Sequence, residues 1–245
     1  MQQNIYDNNE FFEGYQQLRA TESGLNAVLE EPAIYSLLPD LKGLHVLDLG
    51  CGFGRFSRYA ASHGAITVTG VDISERMLAA AANENNPDNI TYLQSPIETV
   101  SFPPDSFDLI ISSLAIHYIQ DYTQLIARMF TWLRAGGQLT FTVEHPMSTA
   151  REEQQWITDQ AGNKLYWPVD HYHDESIRHT NWFVDNVIKY HRTTATYVNT
   201  LLTAGFTLHR LEEPTPLPQF VQQRPELADQ FRRPPFLLLS AKKLN

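Results

Sequence analysis

One cysteine, Cys51, stands in a chain of 245 residues, so no internal disulfide is available and nothing calls for an oxidising compartment. No apolar run reaches the length of a membrane span, and the opening MQQNIYDNNEFFEGY lacks the basic-then-apolar order of a secretory signal. A basic surplus is also absent. With 18 Lys and Arg against 28 Asp and Glu, the formal net charge is −10, the wrong balance for a face that grips phosphate backbones. Repeats, low-complexity tracts and Ser/Gly linkers are missing as well. These absences point to a cytoplasmic enzyme or binding protein without a nucleic-acid or membrane partner. Its length suits one large α/β domain, with room for an inserted piece.

What is present is alternation. LHVLDLG (44–50) reads as a buried strand and GRFSRYAASHG (54–64) as a helix ended by glycine. AITVTGVDI (65–73) is a β-branched strand, and SERMLAAAANEN (74–85) a Ser-capped, alanine-rich helix. NITYLQ (89–94) and SFDLIISSLAI (106–116) are further strands. YTQLIARMFTWLRAGG (122–137) reads as a helix stopped by paired glycines before the strand QLTFTVEH (138–145). The pattern then breaks over 146–186, a stretch rich in aromatics and histidines. TNWFVDNVIKYHR (180–192) reads as two short strands about an Asp185-Asn186 turn. The helix TTATYVNTLLTAG (193–205) and the strands FTLHRLEEP (206–214) and PFLLLSAKK (235–243) complete the chain. Strands alternating with helices predict a mainly parallel sheet covered on both faces.

Gly50, Gly52 and Gly54 crowd the turn between the first strand and the helix after it. Such a turn brings backbone N–H groups and a helix N-terminus to the carboxyl edge of the sheet, where open α/β sheets bind ligands. The dinucleotide fingerprint would need its third glycine where Arg55 stands, which argues against a nicotinamide-dependent oxidoreductase. Asp48 precedes the turn. Asp72 ends the next strand, about twenty residues on, where one carboxylate could accept from both hydroxyls of a ribose.

VLDLGCGFG, GVDISERML, FPPDSFDLIISSLAIHYI and LRAGGQLTFTVEHP, in that order, resemble the motifs of class I S-adenosylmethionine-dependent methyltransferases of the small-molecule "type 11" branch. YDNNEFFEGYQQLR (6–19) and 187–216 resemble one bacterial subgroup of that branch whose substrate is unclear. The resemblance implies S-adenosyl-L-methionine as cofactor and a Rossmann-like α/β fold. In that fold seven strands form a mainly parallel sheet, the last strand antiparallel, with helices on both faces and a cap inserted after the fifth. The chain divides accordingly into an N-terminal helical lid (1–43), a cofactor-binding core (44–145), a substrate cap (146–192) and the C-terminal part of the sheet (193–245) of a single methyltransferase domain.

Carried over position by position, Gly50, Cys51 and Gly52 would lie against the methionine part of the cofactor, with Asp48 fixing the loop and the amino group. Asp72 would hold the ribose, and Ile73 and Met77 would flank the adenine. Pro96 and Ile97 would face the adenine edge, and Ser112 and Ser113 the methionine end. Tyr15 and Arg19 are candidates for the methionine carboxylate. Where the branch commonly has an aspartate for the adenine amino group this chain has Pro96, leaving that contact to Glu98 or a backbone carbonyl.

His145 is the first candidate for a general base, with His117 and His191 behind it and Glu144 to orient one of them. The segment HYHD (171–174) offers two histidines but no third ligand at metal spacing, so no metal is expected. SSLAIH (112–117) stands where nucleic-acid amino-methyltransferases carry an Asp/Asn-Pro-Pro-aromatic motif, which favours a small-molecule acceptor with an oxygen, nitrogen or carbon nucleophile. A non-catalytic module that binds the cofactor is the competing class.

Overall fold

A computed structural model describes residues 3–21 and 24–244. The chain opens with α1 (Asn9–Ala20), a π-helical turn (Asn26–Glu30) and α2 (Glu31–Ser36), and continues through β1 (His45–Leu49), α3 (Arg55–Ser62), β2 (Thr67–Asp72) and α4 (Glu75–Ala82). There follow β3 (Ile90–Gln94), β4 (Phe107–Ser113), a 3-10 turn (Ile116–Tyr118), α5 (Tyr122–Trp132) and β5 (Leu133–Glu144). Next come α6 (Pro146–Thr149), β6 (Ile157–Thr158), β7 (Lys164–Tyr166), β8 (Ile177–Trp182) and β9 (Val184–Tyr190). The last elements are α7 (Thr194–Thr203), β10 (Phe206–Glu212), α8 (Pro218–Gln223), a 3-10 turn (Pro225–Phe231) and β11 (Phe236–Lys243).

Seven strands form one sheet in the order β10-β11-β5-β4-β1-β2-β3. The core pairs are parallel, and β11 runs antiparallel between β5 and β10. This is the Rossmann-like methyltransferase sheet, with its last strand reversed. Period-two alternation explains its two cores. Leu47, Ile110, Phe141 and Leu239 face α5 and α7, whereas Val46, Leu109, Ile111 and Leu238 face Val28, Leu29, Ile34 and Phe56. Ser74 caps α4 by accepting from Met77 N, and Asp121 and Thr193 cap α5 and α7 in the same way.

Two local expectations are corrected. The helix read over 122–137 ends at Trp132, because Leu133 is drawn into the core and pairs with Phe107. The pairing resumes at Gln138 opposite Leu109, so the paired glycines occupy the excursion between these two registers. The hairpin over 180–192 turns at Phe183 (φ 58°), not at Asp185-Asn186, and Trp182 pairs across it with Val184.

The segment between β5 and α7 goes to two places. The β8–β9 hairpin lies against α1: Phe11 meets Trp182 and Phe183 edge-on at centroid distances of 5.2 and 5.5 Å. A Cβ on Gly14 would come within 2.6 Å of the Phe183 ring. The β6–β7 hairpin instead joins the C-terminal 3-10 turn through Lys164–Asp229 (2.6 Å), and Trp156 packs under Arg232.

Candidate functional site

β1 runs straight into the glycine turn. Gly50 N and Cys51 N both donate to Val71 O, at 2.8 and 3.0 Å. Gly50 sits at φ 76°, and a Cβ there would stand 2.4 Å from Ala115 Cβ, so no other residue fits. Gly52, at φ 50°, has nothing within 4 Å of a would-be Cβ; the space beside it is open. Asp72 holds the turn from the neighbouring strand, accepting from Gly52 N at 2.8 Å and from Ser74 N at 2.9 Å. Burial pushes its carboxyl up, against those two backbone donors. Asp48 accepts from Ser57 Oγ at 2.7 Å, and burial raises it to about 7.

A cavity of about 640 Å³ lies at this edge, inside the range of small-molecule sites. Its lining includes Asp48, Gly50, Cys51, Gly52, Asp72 and Ser113, and from the expected adenine side Ile73, Met77 and Ile97. Tyr15 and Arg19 reach it from α1, and His117 and Glu144 from the ends of the β4 and β5 segments. Glu98 lines it next to Ile97, while Pro96 does not.

Three more expected residues are not brought to the cavity. Ser112 turns between strands and donates to Leu49 O at 2.8 Å. His145 caps α6 by accepting from Met147 N, with its Nε2 2.9 Å from Glu213 Oε1. His191 bridges Thr149 Oγ1 (2.8 Å) and the Tyr172 carbonyl (2.9 Å). His145 thus ties the start of α6 to the loop after β10, and His191 holds α6 and the loop at Tyr172 together.

Sheet order separates the two ends of the cavity. Asp72 ends β2 and Glu144 ends β5, with β1 and β4 between them, so three inter-strand steps of roughly 4.8 Å divide the two carboxylates. At the β5 end Glu144 Oε1 meets Lys189 Nζ at 2.6 Å, and Gln154 Nε2 donates to Glu144 Oε2 at 3.2 Å. Burial would raise Glu144, but Lys189 outweighs it with help from His117, holding the carboxyl at about 2. Burial lowers His117 to about 4, so its imidazole is neutral near pH 7. Trp182, Ile188 and Tyr190 of the hairpin line this end.

The roof has two halves. Tyr15 of α1 stacks on Phe53 of the glycine turn (5.9 Å) and meets Trp182 edge-on (5.8 Å). Gln3 spans from the N-terminal segment to the hairpin, donating to Asn186 O at 3.1 Å and accepting from Ile188 N at 2.9 Å.

Sequence reasoning missed Glu30 and Lys189. Lys189 follows Val187 by two positions on β9, an inward alternation that could have marked it. Glu30 sits in NAVLEEP, an acid at the end of an apolar run, with no motif to flag it.

A family model described as a methyltransferase domain matches residues 47–141. The chain is 38% identical to an uncharacterized protein of Haemophilus influenzae, over 98% of this chain and 97% of that one. It is 41% identical to a solved S-adenosylmethionine-dependent methyltransferase of Mesorhizobium loti, with a TM-score of 0.82 over 90% of this chain and 99% of that one. A proposed S-adenosylmethionine-dependent methyltransferase of Listeria monocytogenes, also solved, is 43% identical, with a TM-score of 0.84 over 87% and 96% of the two chains.

Proposed function

The chain belongs to the class I S-adenosylmethionine-dependent methyltransferases, of the type 11 branch, and on that premise we propose that it methylates a small molecule held beneath Trp182 and Tyr190. The observation that carries this reading is a roofed cavity with the glycine turn and Asp72 at one end and Glu144 at the other. A roof of α1 and the β8–β9 hairpin leaves room for a compact acceptor rather than a polymer, and the net charge of −10 agrees. Among the described residues no helix is long and apolar enough to cross a membrane, and we assign the enzyme to the cytoplasm.

The residues fit the cofactor. Gly52 leaves open space where a side chain would intrude, and the buried Asp72 carboxylate lines the same cavity for a ribose diol. Ile73, Met77 and Ile97 give an apolar wall for a purine, and Glu98 stands beside it in place of the aspartate that Pro96 replaces. Arg19 supplies a cation for the tail carboxylate. When bound, S-adenosylmethionine supplies an electrophilic methyl group on a sulfonium. The protein's part is to align a nucleophile and exclude water, chiefly by proximity and orientation.

Where the acceptor arrives protonated, we assign proton uptake to His117. It is neutral and so free to take up a proton, it lines the cavity, and the Glu144 charge offsets part of the burial that disfavours the imidazolium. Glu144 itself is committed to Lys189 and is the weaker base of the two.

The test is formation of S-adenosylhomocysteine with a panel of small oxygen, nitrogen and carbon nucleophiles, guided by any ligand that copurifies. With an acceptor in hand, His117→Ala should lower turnover at saturating cofactor by about 10²–10⁴-fold and spare cofactor affinity. An unchanged rate would remove His117 from the chemistry. Turnover on oligonucleotides alone would overturn the small-molecule assignment.

A further inference from the structure

Glu30 ends the π-helical turn, fully buried, and lines the cavity. Its Oε1 accepts from Ser113 Oγ at 2.8 Å and Thr142 Oγ1 at 2.7 Å. Its Oε2 is also buried and has no partner among the described residues. A buried carboxylate oxygen left without a donor is costly, so the ionised form of Glu30 calls for a donor that the described residues do not supply. Glu31, the next residue, binds Arg19 at 2.6 Å and Arg55 at 3.1 Å. One cavity wall therefore carries a guanidinium and an unsatisfied carboxyl side by side, a pattern of charge that matches an amino-acid zwitterion.

We propose that Glu30 receives the α-ammonium of the cofactor's amino-acid tail, while Arg19 faces its α-carboxylate. The assignment rests on reading the cavity as the cofactor site. An ammonium has donors to spare, and Glu30 Oε2 is the acceptor that this network leaves unpaired beside the cavity. Glu30 thereby takes the amino-group contact that the resemblance gave to Asp48, whose Oδ2 is held by Ser57. The electrostatics agree. Burial, with the nearby charge of Glu31, raises the Glu30 carboxyl to about 7 against the pull of Ser113, Thr142 and Arg19. Tyr15 from α1 and Tyr35 from α2 also feel its charge. A cation at Oε2 favours the ionised form, so binding of the tail expels a proton from a population of protonated Glu30.

The experiment compares two ligands by calorimetry: S-adenosylhomocysteine, which keeps the zwitterionic tail, and methylthioadenosine, which lacks it. Glu30→Gln should weaken S-adenosylhomocysteine about tenfold to a hundredfold and leave methylthioadenosine unchanged. At about pH 6.5 the wild type should release protons on binding S-adenosylhomocysteine, seen as heats that vary with buffer ionisation, and Glu30→Gln should release fewer. Should Glu30→Gln fail to fold, Glu30→Asp, which keeps the charge but shortens its reach, should show the same selective loss. Equal loss of both ligands would make Glu30 a merely structural residue and overturn the assignment. Full S-adenosylhomocysteine affinity with slowed turnover would overturn it in favour of a role on the acceptor. If the wild type binds neither ligand, the cofactor reading of the cavity falls first and this one with it.

Discussion

Lys189 reaches from β9 to Glu144, its ammonium 2.6 Å from the carboxylate and its side chain only 2% exposed. The contact ties the hairpin strand β9 to the end of β5. Removing one partner of a buried pair strands the other charge, at a cost of about 3–5 kcal/mol. Lys189→Met should therefore lower thermal stability sharply. Adding Glu144→Gln to it should restore much of the loss. A Lys189→Met protein that melts with the wild type would show the pair to be dispensable.

The titration of the buried groups has opposing signs. Glu144 falls from 4.5 to about 2 and His117 from 6.5 to about 4 on folding. Each favours the native state at higher pH, and that contribution is lost as pH falls through the interval between the paired values. Glu30 rises from 4.5 to about 7, so its contribution is full below 4.5 and fades as pH climbs to 7. Melting curves of the ligand-free protein against pH should show Glu30→Gln gaining on the wild type from 4.5 to 7, then running parallel. Parallel profiles throughout would refute the sign given for Glu30.

Asp72→Ala should weaken S-adenosylhomocysteine about tenfold to a hundredfold, the worth of hydrogen bonds to a charged group. The variant also frees Gly52 N and Ser74 N, so a modest fall in melting temperature should accompany it. Unchanged affinity by calorimetry in a folded variant would remove Asp72 from the ribose.

His145→Ala removes a helix cap and the contact with Glu213. It should cost about 0.5–2 kcal/mol of stability and leave saturated turnover intact. A large loss of rate without loss of stability would return His145 to the chemistry.

The fold was legible because its signals are local. Each sheet strand is a buried or alternating run, and the glycine turn can take its path only without side chains. Of the cavity lining, residues at strand ends or in the glycine turn, such as Asp72, Ser113 and Gly52, could be placed from motif position. Histidine roles could not. His145 and His117 both follow strands at the carboxyl edge, and only packing turns the first toward Glu213 and leaves the second on the cavity. Glu30 was invisible for a similar reason. Its significance comes from Ser113 and Thr142, which are 83 and 112 positions away.

The amide of Gln3 stitches the N-terminal segment to the hairpin, so the two halves of the roof are joined. A shared door imposes a queue. On the seating proposed above, the cofactor on the glycine turn is expected to enter before the acceptor beneath Trp182 and to leave after it. In steady-state kinetics this is a compulsory-order pattern, with the demethylated cofactor competing against S-adenosylmethionine but not against the acceptor. Loosening the stitch by Gln3→Ala should speed product departure and raise the Michaelis constants for both substrates together.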